Sequence, residues 1–278
     1  MKKLLFCFAL SSLSFNFLQA QITENKEKSA VSKEEKEDDD DDDEDKKPEY
    51  DAHWAGFDLG ALVLMNDAFS TDFGENDYWK NNVARSSSFN FNVLEFKVPI
   101  FKQYIGLTTG LGLNFKTIAF RNDYVVAHTN DSIYAFVDLT QTYRKNTLNA
   151  SYITVPLLLD IATKKHQRNS FYIAAGVVGG MRIGSYTMRT GKYANGDHFQ
   201  NTIRSKYNLA PFTLEATARI GYGAWGIYGS YQLTSLFKKG NTVAVMPISA
   251  GLTYNISFAE NPKKKKKQKE EEESGIKE

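Results

Sequence analysis

Tyr104-Ile-Gly-Leu-Thr-Thr-Gly-Leu-Gly-Leu-Asn-Phe-Lys-Thr-Ile-Ala119 decides the fold. Ile105, Leu107, Leu111, Leu113 and Phe115 alternate with Gly106, Thr108, Gly110, Gly112 and Asn114. A period of two belongs to a strand with two unlike faces and to no helix. The run also exceeds the roughly 9–11 residues that a tilted strand needs to cross a bilayer.

The same pattern recurs on both sides of this stretch. Residues 54–65, 88–100, 104–119, 150–161, 171–186, 209–222, 225–237 and 243–258 read as eight strands, and no helical period separates them. In the second run the apolar phase slips from Phe89, Phe91 and Val93 to Leu94, Phe96 and Val98, which predicts a bulge. Connections alternate in length. Residues 101–103, 162–170 and 223–224 are short turns, whereas 66–87, 120–149 and 187–208 are long, with a tighter 238–242. An even strand count with short turns at one end and long loops at the other is the plan of an up-and-down transmembrane β-barrel of the outer-membrane type.

Which face looks outward separates a membrane barrel from a soluble lipocalin-like one, whose apolar residues would point inward around a ligand. One face carries charges deep within the runs: Asp58, Glu95, Lys97, Lys116, Asp160, Arg182, Glu215 and Arg219. The other face presents Phe57, Leu94, Phe96, Leu111, Leu159, Val177, Leu214, Ile227 and Leu252 without a charge. Basic residues turned toward lipid would cost ~2–4 kcal/mol each near the midplane. The charged face is therefore expected in the lumen, its acids and bases paired into a network that closes the interior, since an unpaired buried charge is costly. Trp54, Tyr104, Phe171, Tyr172, Tyr222, Trp225, Tyr254 and Phe258, near the strand ends, are expected in interfacial aromatic girdles.

The flanks read differently from the middle. Residues 1–20 open with Lys2-Lys3, continue through a short Ser-containing apolar run and close on Leu18-Gln19-Ala20, the pattern of a cleaved secretory signal. Cys7, the one cysteine, would leave with it, which excludes disulfides, thiolate zinc sites and cysteine nucleophiles from the mature chain. Residues 21–52 form an acidic segment: residues 24–49 hold 14 acids against 6 lysines. Residues 259–278 form a charged tail with 7 lysines and 6 acids in opposed blocks. Neither has the apolar surface to offset ordering, so both are expected to be disordered around a barrel at 53–258. The poly-Asp run 38–43 lacks the spaced carboxylates and the glycine of an EF-hand, and a solvated linker is the expectation, ahead of a calcium sponge or docking arm.

His53-Trp-Ala-Gly-Phe-Asp-Leu-Gly60, the stretch 104–115, Tyr152-Ile-Thr-Val-Pro-Leu-Leu-Leu159 and Ile248-Ser-Ala-Gly-Leu-Thr-Tyr-Asn-Ile-Ser-Phe258 resemble the PorT-like outer-membrane β-barrel family of Bacteroidota, over residues 54–258. The resemblance implies an eight-stranded barrel similar to OmpA and OmpX. It also implies a link to type IX secretion, which PorT itself supports. Unlike OmpA, no globular peptidoglycan-binding domain is read after the barrel, which argues against wall anchoring.

Chemistry is sparse. His128 with Asp131 and Ser132, and His198 with Asp197, are the loop constellations that a lipid-modifying or proteolytic surface enzyme would need. Histidines beside acids arise readily by chance, and no enzyme is expected. Four histidines at wide spacing leave little for a metal. Gly110-Leu-Gly-Leu-Asn-Phe115 departs from the dinucleotide fingerprint at its last position and precedes no helix, so its glycines are expected to relieve crowding in a narrow barrel. Lys263 to Lys267 could pass for a nucleic-acid patch, but an exported chain meets no nucleic acid. The expected partners are outer-membrane lipids and lipopolysaccharide, the barrel-assembly machinery during biogenesis, and a further outer-membrane protein in a complex, with no cofactor. The expectation is a structural, adhesive or scaffolding barrel in the outer membrane, with loops outside and both termini periplasmic. A narrow diffusion pore is the first alternative and a lipid-modifying enzyme the second.

Overall fold

The structure, a computed structural model, describes residues 52–256 apart from 102–103, 122–123, 139–140, 164–169 and 194. The expected signal peptide, most of the acidic segment, the C-terminal tail and Phe258 lie outside the described residues. Eleven strands follow in chain order: β1 (Gly56–Met65), β2 (Ser87–Phe101), β3 (Ile105–Ala119), β4 (Tyr124–His128), β5 (Ile133–Val137), β6 (Gln141–Ala162), β7 (Phe171–Tyr193), β8 (His198–Arg204), β9 (Phe212–Tyr222), β10 (Trp225–Gln232) and β11 (Met246–Asn255).

Eight of these close a ring. β1, β2, β3, β6, β7, β9, β10 and β11 each pair antiparallel with the next, and β11 returns to β1 through ten residue pairs, from Gly56 opposite Asn255 to Met65 opposite Met246. Closure leaves no sheet edge around the ring, so the crossing strands satisfy their backbone groups on one another rather than on water. No helix among the described residues is long and apolar enough to cross a membrane, and crossing by strands needs none. The remaining strands belong to long connections. β4 and β5 form a hairpin of their own between β3 and β6. β8 pairs with the far end of β7 before the chain enters β9.

The expected eight-strand ring is present, with corrections at the long-loop end. Residues 120–149 and 187–208, read as loops, are largely strand: β6 begins at Gln141 and β7 runs on to Tyr193. Beyond the crossing region the alternation weakens, because these extensions pair with each other and with β8 rather than facing lipid on one side. The β10–β11 connection is longer than expected, since β10 ends at Gln232 and β11 starts at Met246.

The phase slip in β2 is a register shift between Asn92 and Leu94, as the sequence predicts. Its partner shows why that site tolerates an extra residue. A Cβ on Gly110 would lie 2.0 Å from the Leu94 carbonyl oxygen, so only glycine fits opposite the bulge. At the short-turn end of the barrel, Gly223 turns β9 into β10 with φ 58°.

The two faces separate as the alternation dictates. Outward-pointing Leu59, Phe96, Val98, Leu111, Leu157, Ile173, Ile220, Ile227 and Leu252 are exposed, with Leu59 at 61% and Phe96 at 61%. So many exposed large apolar side chains on a soluble surface would drive association; around a closed barrel they form the belt that lipid covers. Aromatics gather at the short-turn rim of the belt, where Trp225 packs on Tyr254 and Phe171 on Tyr222, each pair with ring centroids 4.9 Å apart.

Candidate functional site: the barrel interior and its cap

Between the short-turn end and the long loops, the interior holds three tiers of charge. The lowest is built by His53, just before β1, with Lys97 of β2 and Asp160 of β6. Asp160 is fully buried; it accepts the His53 backbone N–H at 2.9 Å and faces His53 Nδ1 at 3.1 Å and Lys97 Nζ at 3.1 Å. Gly106 makes room for this pair, since a Cβ there would sit 2.8 Å from Lys97 Cγ and Cε. Glu95, close by, accepts the backbone N–H groups of Trp54 (3.0 Å) and Ala55 (2.7 Å), holding the entry of the chain into β1.

Asp58 and Arg219 form the middle tier, facing each other across the ring from β1 and β9. Arg219 Nη2 reaches Asp58 Oδ2, which also accepts from Asn90 at 3.0 Å and Asn92 at 3.2 Å. The guanidinium lies 4.4 Å from the centroid of the Trp54 ring, a cation–π contact away from bulk solvent. A belt of amides continues the tier: Asn114 donates to Ser88 at 3.0 Å and also to Asn90. In the upper tier, Lys116 of β3 bonds Glu215 of β9 at 2.7 Å and Gln232 of β10 at 2.6 Å, while Ser230 donates to Glu215 at 2.6 Å. Opposite charges with hydrogen bonds to their spare donors and lone pairs are the arrangement in which burying ions is tolerable.

Six of the eight charged residues singled out from sequence thus meet as three ion pairs, with Glu95 used by backbone amides. Arg182 does not join. It is half-buried near the loop end and donates to the Lys206 carbonyl at 2.5 Å, and no carboxylate among the described residues lies within ion-pair distance. Arg182 keeps the inward parity of Val178 and Gly180, opposite Tyr152, but it stands at the loop end of the wall, above the carboxylates, and its guanidinium reaches the β8–β9 connection.

Sequence reading missed three interior residues. His53 is 1% exposed and stacks on Tyr172 with centroids 4.0 Å apart. Trp54 (3%) and Tyr172 (1%), expected in the girdles, are interior as well. Tyr172 Oη accepts from Asn255 at 2.7 Å. A signal was available: Trp54 shares parity with Gly56, Asp58 and Gly60, and Tyr172 with Ala174 and Gly176, all inward-facing positions.

Above the upper tier the interior turns apolar. Leu62, Leu64, Ile118 and Leu148 point inward from the strands and meet Trp79, Phe120, Val126, Ile133, Leu236 and Phe237, supplied by the long connections. Trp79, on a short 3₁₀ turn, is fully buried; its centroid lies 4.5 Å from that of Phe237, and its indole N–H donates to Thr242 at 3.0 Å. Burial pushes the neighbouring Tyr78 phenol above its usual range. An interior cavity among Trp54, Asn114, Glu215, Arg219 and Tyr228 measures about 20 Å³, room for about one water.

Among the described residues, neither loop histidine is hydrogen-bonded to the acid beside it in sequence. His128 Nε2 bonds Ser205 at 2.8 Å instead of Asp131 or Ser132, while Ser132 pairs with Thr129. Among the described residues no carboxylate orients its other nitrogen. Asp197 accepts from Asn195 at 2.8 Å, within its turn. Among the described residues, no group of three His, Asp or Glu side chains could hold a metal.

A family model, the outer membrane protein beta-barrel domain, matches residues 13–238. No curated protein matches the chain. Two similar solved structures are of Ail, the attachment invasion locus protein of Yersinia pestis, one of them in complex with the heparin analogue sucrose octasulfate. Both are 12% identical to this chain; they cover 73% and 72% of it and 97% and 94% of their own length, with TM-scores of 0.28 and 0.27.

Proposed function

The chain belongs to the outer membrane protein beta-barrel domain family, and from that premise we propose that it is a closed, non-enzymatic barrel whose long loops face the cell exterior and whose termini lie in the periplasm. Its role on this reading is structural, adhesive or scaffolding, with the loop end as the working surface. Outer-membrane lipids and lipopolysaccharide surround it, the barrel-assembly machinery inserts it, and a further outer-membrane protein is its complex partner. The resemblance to PorT-like barrels is what favours a place beside type IX secretion.

One observation supports the closed reading: among the described residues, paired ions occupy the lower interior and an aromatic-aliphatic cap the upper, around a cavity of about 20 Å³. An eight-strand ring has an interior only wide enough for side chains. Planar-bilayer recording of the purified chain should give no steady conductance; a stable ohmic current would replace this reading with the pore. Two measurements test the membrane placement. Unboiled protein should run faster than boiled protein on SDS gels, because a closed ring resists detergent. A tag at Asn76 or Asn195 should be stained on intact cells and one at Gly275 only after permeabilisation, and the reverse would invert the orientation.

A further inference from the structure

The strongest unassigned feature is a groove of about 1090 Å³ on the outer face of the barrel wall, where β3, β6, β7 and β8 approach the 3₁₀ turn Val83–Arg85. Its described lining includes Arg85, Arg144, Lys145 and Lys192, with His198, and no Asp or Glu. All four cations are exposed, so none is consumed by a buried pair. Arg85 is steadied by donating one guanidinium N–H to the Arg144 carbonyl at 3.1 Å, which leaves its remaining donors for a ligand. Such a concentration of positive charge with no acid in the described lining is a site for a multiply charged anion, and arginine forks match phosphate oxygens in pairs.

Position narrows the ligand. On β3 the outward residues run Leu107, Leu111 and Phe115, all exposed and apolar, and the next outward residue, Thr117, lines the groove. On β6 the outward run Leu159, Leu157 and Val155 leads through Ser151 and Asn149 to Thr147 and Lys145, both in the groove. Thr117 and Asn149, side by side in the register, hydrogen-bond at 2.9 Å at the step between the two zones. The cationic groove therefore sits directly above the apolar belt on the same face of the wall. A molecule that fills both must be an amphiphile, with phosphates at one end and acyl chains at the other.

We infer that the groove formed by Arg85, Arg144, Lys145 and Lys192 binds the phosphates of a phosphorylated glycolipid whose acyl chains lie on the belt of β3, β6 and β7. This inference rests on the membrane placement proposed above, and it commits the barrel to one preferred lipid-facing side. The binding measurement is made in detergent, so its failure is distinguishable from failure of the orientation test on cells.

The test titrates the full-length barrel, in non-ionic detergent, with three probes: bis-phosphorylated lipid A, the same lipid A stripped of phosphate, and inorganic pyrophosphate. Lipid A should bind, more weakly as salt is raised, and the stripped lipid and pyrophosphate should each bind at least about tenfold more weakly. The double variant Arg144→Gln/Lys145→Gln should lose binding by more than about tenfold while keeping its unboiled gel mobility, since both side chains are exposed. Lys238→Gln/Lys239→Gln, cations on another connection, should bind like wild type. Equal affinity of the Arg144/Lys145 variant and wild type, or equal binding of stripped lipid A, overturns the inference. Pyrophosphate as tight as lipid A overturns the amphiphile and leaves a soluble phosphate as the ligand.

Discussion

The lower and upper halves of the barrel interior solve the same problem with opposite chemistry. The short-turn half is lined by Asp58, Lys97, Asp160 and Arg219, charges that the chain itself carries inward on its crossing strands and neutralises across the ring. In the loop half, Leu62, Leu64, Ile118 and Leu148 line the strands, and Trp79 and Phe237 are folded down from outside the ring to meet them. Charge needs a partner at one fixed distance and in one direction, which only rigid strands supply. Apolar surface needs only to be covered, which loops can do. The difference predicts that the lower half is unforgiving of single changes and the upper half more tolerant.

Arg219→Ala should be the most damaging change. It strands the buried Asp58 carboxylate and removes the cation over Trp54, and ~3–5 kcal/mol of stability should go with it. Urea unfolding of barrels folded into lipid, followed by tryptophan fluorescence, reads the loss. The double change Asp58→Leu/Arg219→Met should recover much of it, since a filled apolar site needs no counter-ion. If the double variant is as unstable as the single one, the pair is not what holds the lower half.

Trp79→Ala comes next, at about 3 kcal/mol, the low end for a buried aromatic because the surrounding connections, unlike paired strands, can close on the space. It also asks which half seals the barrel: the variant should remain electrically silent in planar bilayers because the ion-pair tiers persist beneath it. A steady current would assign the seal to the cap.

Gly106→Ala should cost ~1–3 kcal/mol by crowding the Lys97 stem away from Asp160. Thermal unfolding in detergent measures this, and Lys97→Met on the same background should alter it less than Lys97→Met alone, because the pair is already disturbed. Arg182→Ala should have the smallest effect, within about 1.5 kcal/mol, since a half-buried arginine on a backbone carbonyl leaves no carboxylate behind. A loss as large as that of Arg219→Ala would place Arg182 in the lumen network after all.

Alternation in β1, β3 and β7 was enough to place each outward apolar residue, and the slipped phase around Val93 was enough to locate the bulge, because a period of two leaves one residue no choice of face once its neighbours are assigned. The same periodicity put Asp58, Lys116 and Arg219 on the inner face. Partner choice stayed hidden. Lys116 meets Glu215 across 99 residues because strand tilt and register bring them to one height, and height is a property of the closed ring rather than of any strand. Trp54 and Tyr172 were legible by parity but were drawn to the girdle by their place near strand ends.

What the sequence determined by itself was the ring: eight amphipathic crossings, charges within and a bare apolar belt without, since those follow from local alternation and the cost of a charge in lipid. The tertiary structure alone decided how that ring is filled. Trp79 and Phe120 lie in connections with no period to read, and Phe237, read as the end of a strand, lies past the end of β10; their burial depends on where the ends of β1, β3 and β6 leave space for them. The groove of Arg85, Arg144, Lys145 and Lys192 is likewise built from a turn, a bulged strand and a strand extension, brought together only when those strands pair in register.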